Sequence, residues 1–230
     1  MKIGILSAMD IEHEQLVALM DEKREMATAS FRRWTHGRLG GNKVALAVTG
    51  IGKVNAALGA SEMFRSFEPD VLISSGCAGG LGREVAVKDV VVGSEYAYHD
   101  VDCGFGNAIG QVQGLPPVFK ADERLLAAAE AMRGRLDVNL HTGLMVTGDQ
   151  FIAGESRIAP IRANFPNALA CEMESAALAH AAYLAKVPFI SFRVISDTPG
   201  ADGQLAQFES FWKELAGVSF TVVKTYLESL

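Results

Sequence analysis

Ala168-Leu-Ala-Cys171-Glu172-Met173-Glu174, then Ser175-Ala-Ala-Leu-Ala-His-Ala-Ala-Tyr-Leu-Ala185, then Pro188-Phe-Ile-Ser-Phe-Arg193-Val-Ile-Ser-Asp197 is the stretch on which the fold turns. Two apolar strands that end in charge are joined by a short alanine-rich helix, which reads as a βαβ unit. Open α/β sheets bind and transform ligands at the carboxyl ends of their strands. Glu172, Glu174, Arg193 and Asp197 therefore mark a candidate site. On a continuous strand, Glu172 and Glu174 would face the same side. Carboxylates at the end of an apolar strand must reach solvent, a partner or a ligand. Arg193 lies inside Phe-Ile-Ser-Phe-Arg-Val-Ile-Ser, so its guanidinium needs a buried anionic partner, for which Glu174 or Glu12 is the expected candidate. Asp197 precedes Thr198-Pro199-Gly200, and on pattern alone a turn-forming role explains it.

Working outward, Lys2 to Ala8 reads as a first strand and Ile11 to Glu22 as an amphipathic helix. A meander is expected over Met26 to Gly37, a turn at Gly40-Gly41-Asn42, and Val44 to Thr49. Gly50-Ile-Gly-Lys53 opens a helix, Val54 to Phe67. The buried strand Asp70 to Ser75 runs into Gly76-Cys-Ala-Gly-Gly-Leu-Gly82, and Asp89 to Tyr98 is a further strand. His99 to Phe119 is irregular, with four glycines and two prolines. A loop of that length in a compact domain is usually functional or an interface. Ala121 to Gly134 reads as a helix, Leu140 to Thr147 as a strand, Gly148 to Gly154 as a loop, and Leu205 to Leu230 as one last helix. No repeat, linker or composition break divides the chain. The expectation is one α/β domain spanning 1–230, a mixed central sheet flanked by helices.

Apolar residues make up 49 % of the 230, enough for a sizeable core, and no apolar run reaches membrane-spanning length. The charged, apolar start of the chain breaks at Asp10 and Glu12, so it reads as a strand rather than a signal peptide. A net charge of −6 with no basic stripe argues against nucleic acid as partner. Cys77, Cys103 and Cys171 form no CxxC pair, which suggests neither zinc nor a disulfide framework and fits a reducing cytoplasm. His99, His141 and His180 have no metal-ligand spacing, and no metal or other cofactor is expected.

Gly50-Ile-Gly52-Lys53 lacks the four intervening residues and the Ser or Thr of a phosphate loop, so a glycine turn at a strand–helix junction is the better reading. Gly76 to Gly82 permits close approach of a ligand to the backbone, but a structural turn is as good an explanation from spacing. Glu12 falls in the first turn of a helix, where the helix dipole stabilises a carboxylate.

Taken in order, Met1-Lys-Ile-Gly-Ile-Leu-Ser-Ala-Met-Asp-Ile-Glu12, Gly50-Ile-Gly-Lys-Val, Gly76-Cys-Ala-Gly-Gly-Leu, Tyr98-His-Asp, Phe119-Lys-Ala-Asp, Thr147-Gly-Asp-Gln-Phe-Ile152, Cys171-Glu-Met-Glu-Ser and Arg193-Val-Ile-Ser-Asp197 resemble the 5′-methylthioadenosine/S-adenosylhomocysteine nucleosidases of the purine nucleoside phosphorylase-like superfamily. The resemblance spans essentially the whole chain. It implies hydrolysis of the N-glycosidic bond with release of adenine and the 5′-thioribose, in methionine salvage and recycling of S-adenosylmethionine by-products. In that scheme Asp197 is the acid at purine N7, a role that needs its carboxyl protonated. Glu12 activates the water, and Arg193 orients water and carboxylates. Glu174 accepts from the ribose hydroxyls and Met173 packs on the sugar. Phe151 stacks on adenine, the Ile152 main chain reads the purine edge, and Gly79 lies at the nucleoside. Met9, Ile51 and Phe208 line a slot for the 5′-alkylthio group. The resemblance also implies a homodimer, with the loop around Cys103 and Phe105 completing the partner's site.

Three positions depart from the family: Cys77 stands where Ser is common, Pro199 has no N–H to offer Asp197, and Asn107 to Val118 is unlike the better-known members. Alternatives are a phosphorylase, an aminodeoxyfutalosine nucleosidase, and a nucleoside-binding protein without catalysis. Against the first, an anion beside Glu12 would be repelled.

Overall fold

The computed structural model describes residues 1–26, 33–214 and 220–230. The chain begins with β1 (Lys2–Ser7), α1 (Asp10–Ala18) and β2 (Asp21–Glu25), then the hairpin β3 (Arg33–Leu39) and β4 (Asn42–Val48). α2 (Lys53–Ser66) leads to β5 (Val71–Gly80) and β6 (Val90–Tyr98). The two-residue β7 (Phe119–Lys120), α3 (Glu123–Glu130), β8 (Leu140–Thr147) and α4 (Glu155–Asn164) follow. β9 (Ala168–Glu172), α5 (Ser175–Ala185), β10 (Phe189–Asp197), α6 (Gln204–Glu214) and α7 (Thr221–Ser229) complete the order.

The strands form one mixed sheet in the order β10-β6-β8-β9-β5-β1-β4-β3-β2, with β7 on β6. β10 also pairs with β5, so β10, β6, β8, β9 and β5 close into a ring from which β1, β4, β3 and β2 extend as a wing. Closure removes the exposed edges of these five strands. β1 runs parallel to both neighbours, β4 and β5, and β10 pairs parallel to β5 but antiparallel to β6. Strands covered on both faces need apolar residues throughout. β1 and β5 supply them with Ile3, Ile5, Leu72 and Ile73, all buried, and β10 is buried at all nine positions. The α/β class and the mixed sheet with flanking helices are as the sequence predicts. Among the described residues no helix is long and apolar enough to cross a membrane.

Several expectations change. β9 and β10 are not neighbours in a parallel βαβ unit. They flank β5 on opposite sides, β9 antiparallel to it and β10 parallel. α1 stops at Ala18 rather than Glu22, because Asp-Glu-Lys-Arg-Glu has no apolar face to bury and instead pairs with β3 as a charged, exposed edge strand. Of the segment Met26 to Gly37, residues 27–32 lie outside the described residues, and β3 continues to Leu39. α3 is shorter than expected, since the Asp122 carboxylate accepts from the N–H groups of Arg124 and Leu125 and sets its start at Glu123. The last helix is two, α6 and α7, with residues 215–219 outside the described residues. Residues 99–118 contain no helix or strand.

Candidate active site

β5 does not end at Ser75. It continues through Gly76-Cys77-Ala78-Gly79-Gly80, so the glycine-rich run is strand rather than loop. This brings the backbone of β5 beside β10, with Arg193 opposite Gly76 and Asp197 opposite Gly79. A Cβ on Gly76 would lie 2.8 Å from Glu12 Oε1 and would also run into the Arg193 guanidinium. Glycine there is what allows these two side chains to converge.

Glu12, one turn into α1, folds back on its own helix start. Its Oε2 accepts from the N–H groups of Ala8 and Met9, both at 3.0 Å, and its Oε1 accepts from Cys77 N–H at 3.1 Å. Burial pushes its carboxyl above the usual range, opposed by Arg193 and by these three N–H groups. A base with a raised pKa is better matched to neutral pH. Burial also keeps the neighbouring Cys77 thiol protonated.

Arg193 is 1 % exposed. Its nearest anion is neither Glu174 nor Glu12 but Glu172, whose Oε2 accepts from Nη2 at 2.6 Å and from Nε at 3.1 Å. Glu174 is 3.6 Å away. The chain leaves β9 at Glu172 and turns, so Glu174 becomes the residue capping α5 rather than the next strand position. Its Oε1 accepts from Gly52 N–H at 2.9 Å. Gly52 has φ 99°, a left-handed conformation suited to glycine, which identifies Gly50-Ile-Gly52 as a turn that supplies a donor to the site. Lys53 points away, onto Asp100 at 2.7 Å.

Glu172 also accepts from the Thr147 hydroxyl, the Ser175 hydroxyl and the N–H groups of Glu174 and Ser175. Burial pushes its carboxyl up, but Arg193 and these donors outweigh it, so Glu172 stays ionised. Glu174 is driven the other way, raised by burial and by the Glu172 carboxylate. Asp197 is held from both sides: Oδ1 by the Ser196 hydroxyl at 2.6 Å and Oδ2 by Gln204 Nε2 at 2.7 Å. Its orientation therefore needs no N–H from residue 199.

These groups border one cleft of about 650 Å³ including its open mouth, within the usual size of a small-molecule site. Glu12, Glu174 and Asp197 face it together with Met9, Ile51, Gly79, Phe151, Ile152, Met173 and Phe208. Phe151 is 46 % exposed, and its ring meets Phe208 edge-on at 5.6 Å. Arg193 stands behind the carboxylates. Cys103 and Phe105 do not line this cleft, and Phe105 is 98 % exposed. Sequence reasoning left Glu172 without a role and overlooked Gln150, Ser196 and Gln204. Glu172 had a signal, a carboxylate ending an apolar strand, whereas Gln204 had none. Among the described residues no group of three or more His, Cys, Asp or Glu could hold a metal ion.

Three buried carboxyls, Glu12, Glu174 and Asp197, on an apolar, aromatic-lipped cleft at the ends of a mixed sheet define an α/β protein built to take a small molecule. Residues 2–228 match the family model of the phosphorylase superfamily, and the chain belongs to that superfamily. The nucleosidase from Neisseria meningitidis, solved with methylthio-immucillin-A, is 37 % identical over 100 % of this chain and 99 % of its own, with a TM-score of 0.93. The Streptococcus pyogenes enzyme, solved with 5-methylthiotubericidin, is 37 % identical over 100 % and 97 %, TM-score 0.94. That of Colwellia psychrerythraea, solved with adenine, is 37 % identical over 100 % and 96 %, TM-score 0.94. Within the superfamily, the chain is a member of the 5′-methylthioadenosine/S-adenosylhomocysteine nucleosidase family.

Proposed function

We propose that this N-ribosyl hydrolase cleaves 5′-methylthioadenosine, S-adenosylhomocysteine and related 5′-substituted adenosines with water, releasing adenine and the 5′-thioribose. The observation that carries this reading is the convergence of Glu12, Glu174 and Asp197 on one apolar cleft. Protonated Asp197 donates to N7, so adenine leaves as a neutral molecule. Glu12 accepts the proton of the attacking water, with Arg193 holding the carboxylates in register. Glu174 accepts from the ribose 2′- and 3′-hydroxyls, and Met173 packs on the sugar. Carboxylates around the ribose stabilise the positive charge that develops on it, as preorganised electrostatics require. Phe151 stacks on the purine, the Ile152 main chain reads its edge beside Gly79, and Met9, Ile51 and Phe208 take the 5′-alkylthio group. Such a reaction serves methionine salvage in the cytoplasm.

Hydrolysis is favoured over phosphorolysis because no Lys or Arg among the described residues lines the cleft, and Arg193 is already committed to Glu172. Adenine release from methylthioadenosine with and without phosphate tests this. A strict requirement for phosphate, with a ribose 1-phosphate product, refutes it.

The site is completed by a second copy of the chain. Val54 and Leu58, four apart on one face of α2, and Tyr183 and Leu184 on adjacent α5 leave a broad apolar surface exposed beside Ile51. A homodimer across this face brings the 99–119 loop, with Cys103 and Phe105, to the partner's 5′ slot. Phe105→Ala then raises KM for methylthioadenosine while sedimentation still reports a dimer.

A further inference from the structure

Gln204, the first residue of α6, makes three hydrogen bonds that fix its amide. Its Oε1 accepts from Gly200 N–H at 3.0 Å, and its Nε2 donates to the Ile152 carbonyl at 2.8 Å. An N–H must meet an oxygen and a carbonyl must meet a proton, so only one orientation of the amide satisfies both. The second Nε2 proton is left for Asp197 Oδ2, 2.7 Å away. The side chain is buried, where such bonds are not readily exchanged for water.

The consequence falls on the acid. Nε2 has no acceptor capacity, so it holds Oδ2 as an acceptor. Oδ1 faces Ser196 Oγ at 2.6 Å, and that hydroxyl also lies 3.2 Å from the Ala78 carbonyl. Ser196 has a single proton. When Asp197 is ionised, the proton is given to Oδ1. When Asp197 is protonated on Oδ1, the serine donates to Ala78 and its oxygen accepts a hydrogen bond from the Oδ1–H until purine N7 takes that proton. A proton on Oδ1 thus leaves every group satisfied, and a proton on Oδ2 opposes the Gln204 donor.

We propose that Gln204 is a positioning residue that confines the acid proton of Asp197 to Oδ1 and, through Ile152, keeps that carboxyl aligned with the main chain beside the purine. The inference rests on Asp197 being the acid. Gln204 supplies from a side chain the donor that Pro199 cannot supply from its backbone.

The test compares Gln204→Ala and Gln204→Glu on two substrates: methylthioadenosine, and a 4-nitrophenyl riboside whose leaving group departs without protonation. Gln204→Ala lowers kcat for adenine release by about 10- to 100-fold, the effect of losing a hydrogen bond to an ionisable group, and leaves nitrophenol release unchanged. Equal losses on both substrates, or a normal kcat for adenine release, overturn the proposal. Gln204→Glu places a second carboxyl against Oδ2, so its adenine release recovers as the pH is lowered and the new group gains a proton to donate. A pH profile that superimposes on that of the unmodified enzyme overturns the proposal independently. Asp197→Asn separates the two ideas. If it retains adenine release, the acid assignment fails. If it loses adenine release while Gln204→Ala does not, only the role of Gln204 fails.

Discussion

Glu172→Gln isolates the charge that keeps Arg193 inside the protein. Shape is preserved, and the amide can satisfy its surroundings. Its oxygen takes the Oε2 position, which receives Arg193, Ser175 and the N–H of Glu174, while its nitrogen faces Thr147 Oγ1. What disappears is the negative charge 2.6 Å from a guanidinium that is 1 % exposed. Removing one partner of a buried pair costs about 3–5 kcal/mol, because the other charge is left uncompensated. Glu174, 3.6 Å away, becomes the nearest remaining anion and offsets part of this. The expected loss is therefore at the low end, about 3 kcal/mol. For a chain of this size that lowers Tm by about 6–12 °C.

Chemical denaturation provides the assay, with the midpoint falling and the slope m unchanged. A second readout follows from the same geometry. The Glu172 charge helps hold the Glu174 carboxyl above its usual range, so in the variant Glu174 ionises at lower pH and the acidic limb of the binding profile moves to lower pH. A stability change under about 1 kcal/mol, the range of exposed pairs, would show that Glu174 is the true counter-ion and refute the reasoning.

Asp197→Asn keeps an acceptor for Gln204 but has no acidic proton. Adenine release falls by about 100- to 10,000-fold, while binding of a methylthioadenosine analogue by calorimetry persists; near-normal turnover removes Asp197 from its role. Gly76→Ala puts a methyl group 2.8 Å from Glu12 Oε1 and against Arg193. It lowers kcat and Tm together, and an unchanged kcat shows that the convergence of those groups is not needed. His13 is buried, with its pKa lowered to about 4 by burial and by Arg33. Its neutral form is the folded one, so between pH 6.5 and about 4 the unfolded chain binds more protons, and stability is lost as pH falls through that window. His13→Gln, which can still reach Thr35, flattens that part of the stability–pH curve, and an undiminished slope refutes the assignment.

Much of the site was legible because its parts sit at strand ends, where polarity changes abruptly. Glu174, Arg193 and Asp197 stand out in this way in or at the ends of apolar strands, whereas Glu12 reads on pattern as a helix cap and joins the site through the ordered resemblance. The partner of Arg193 was not legible, since period-2 alternation assumes a strand continuing through Glu174. The chain instead turns after Glu172, and Ser175 begins α5. The ring closure was equally hidden. It depends on β10 pairing with both β5 and β6, contacts more than 90 residues apart in sequence that no local period encodes. Gln204 was missed because an amide opening a helix on the far side of a turn looks like any polar surface residue until the turn is folded.

The ring closure also explains why structure and chemistry share residues here. β10 carries both Arg193 and Asp197, and it is the strand whose double pairing shuts the ring. Around Arg193 stand Glu12, Glu172 and Glu174, three carboxyls to one guanidinium, so full ionisation leaves a net negative charge in a nearly waterless place. That excess is unfavourable in the free protein: burial raises the carboxyls of both Glu12 and Glu174, and at Glu174 the neighbouring Glu172 and Glu12 carboxylates raise it further. A ribosyl group developing positive charge in the cleft is the species that relieves it. The negative excess thus lowers the stability of the free enzyme and is complementary to the transition state, which is the expected bias of a site selected for rate rather than for stability.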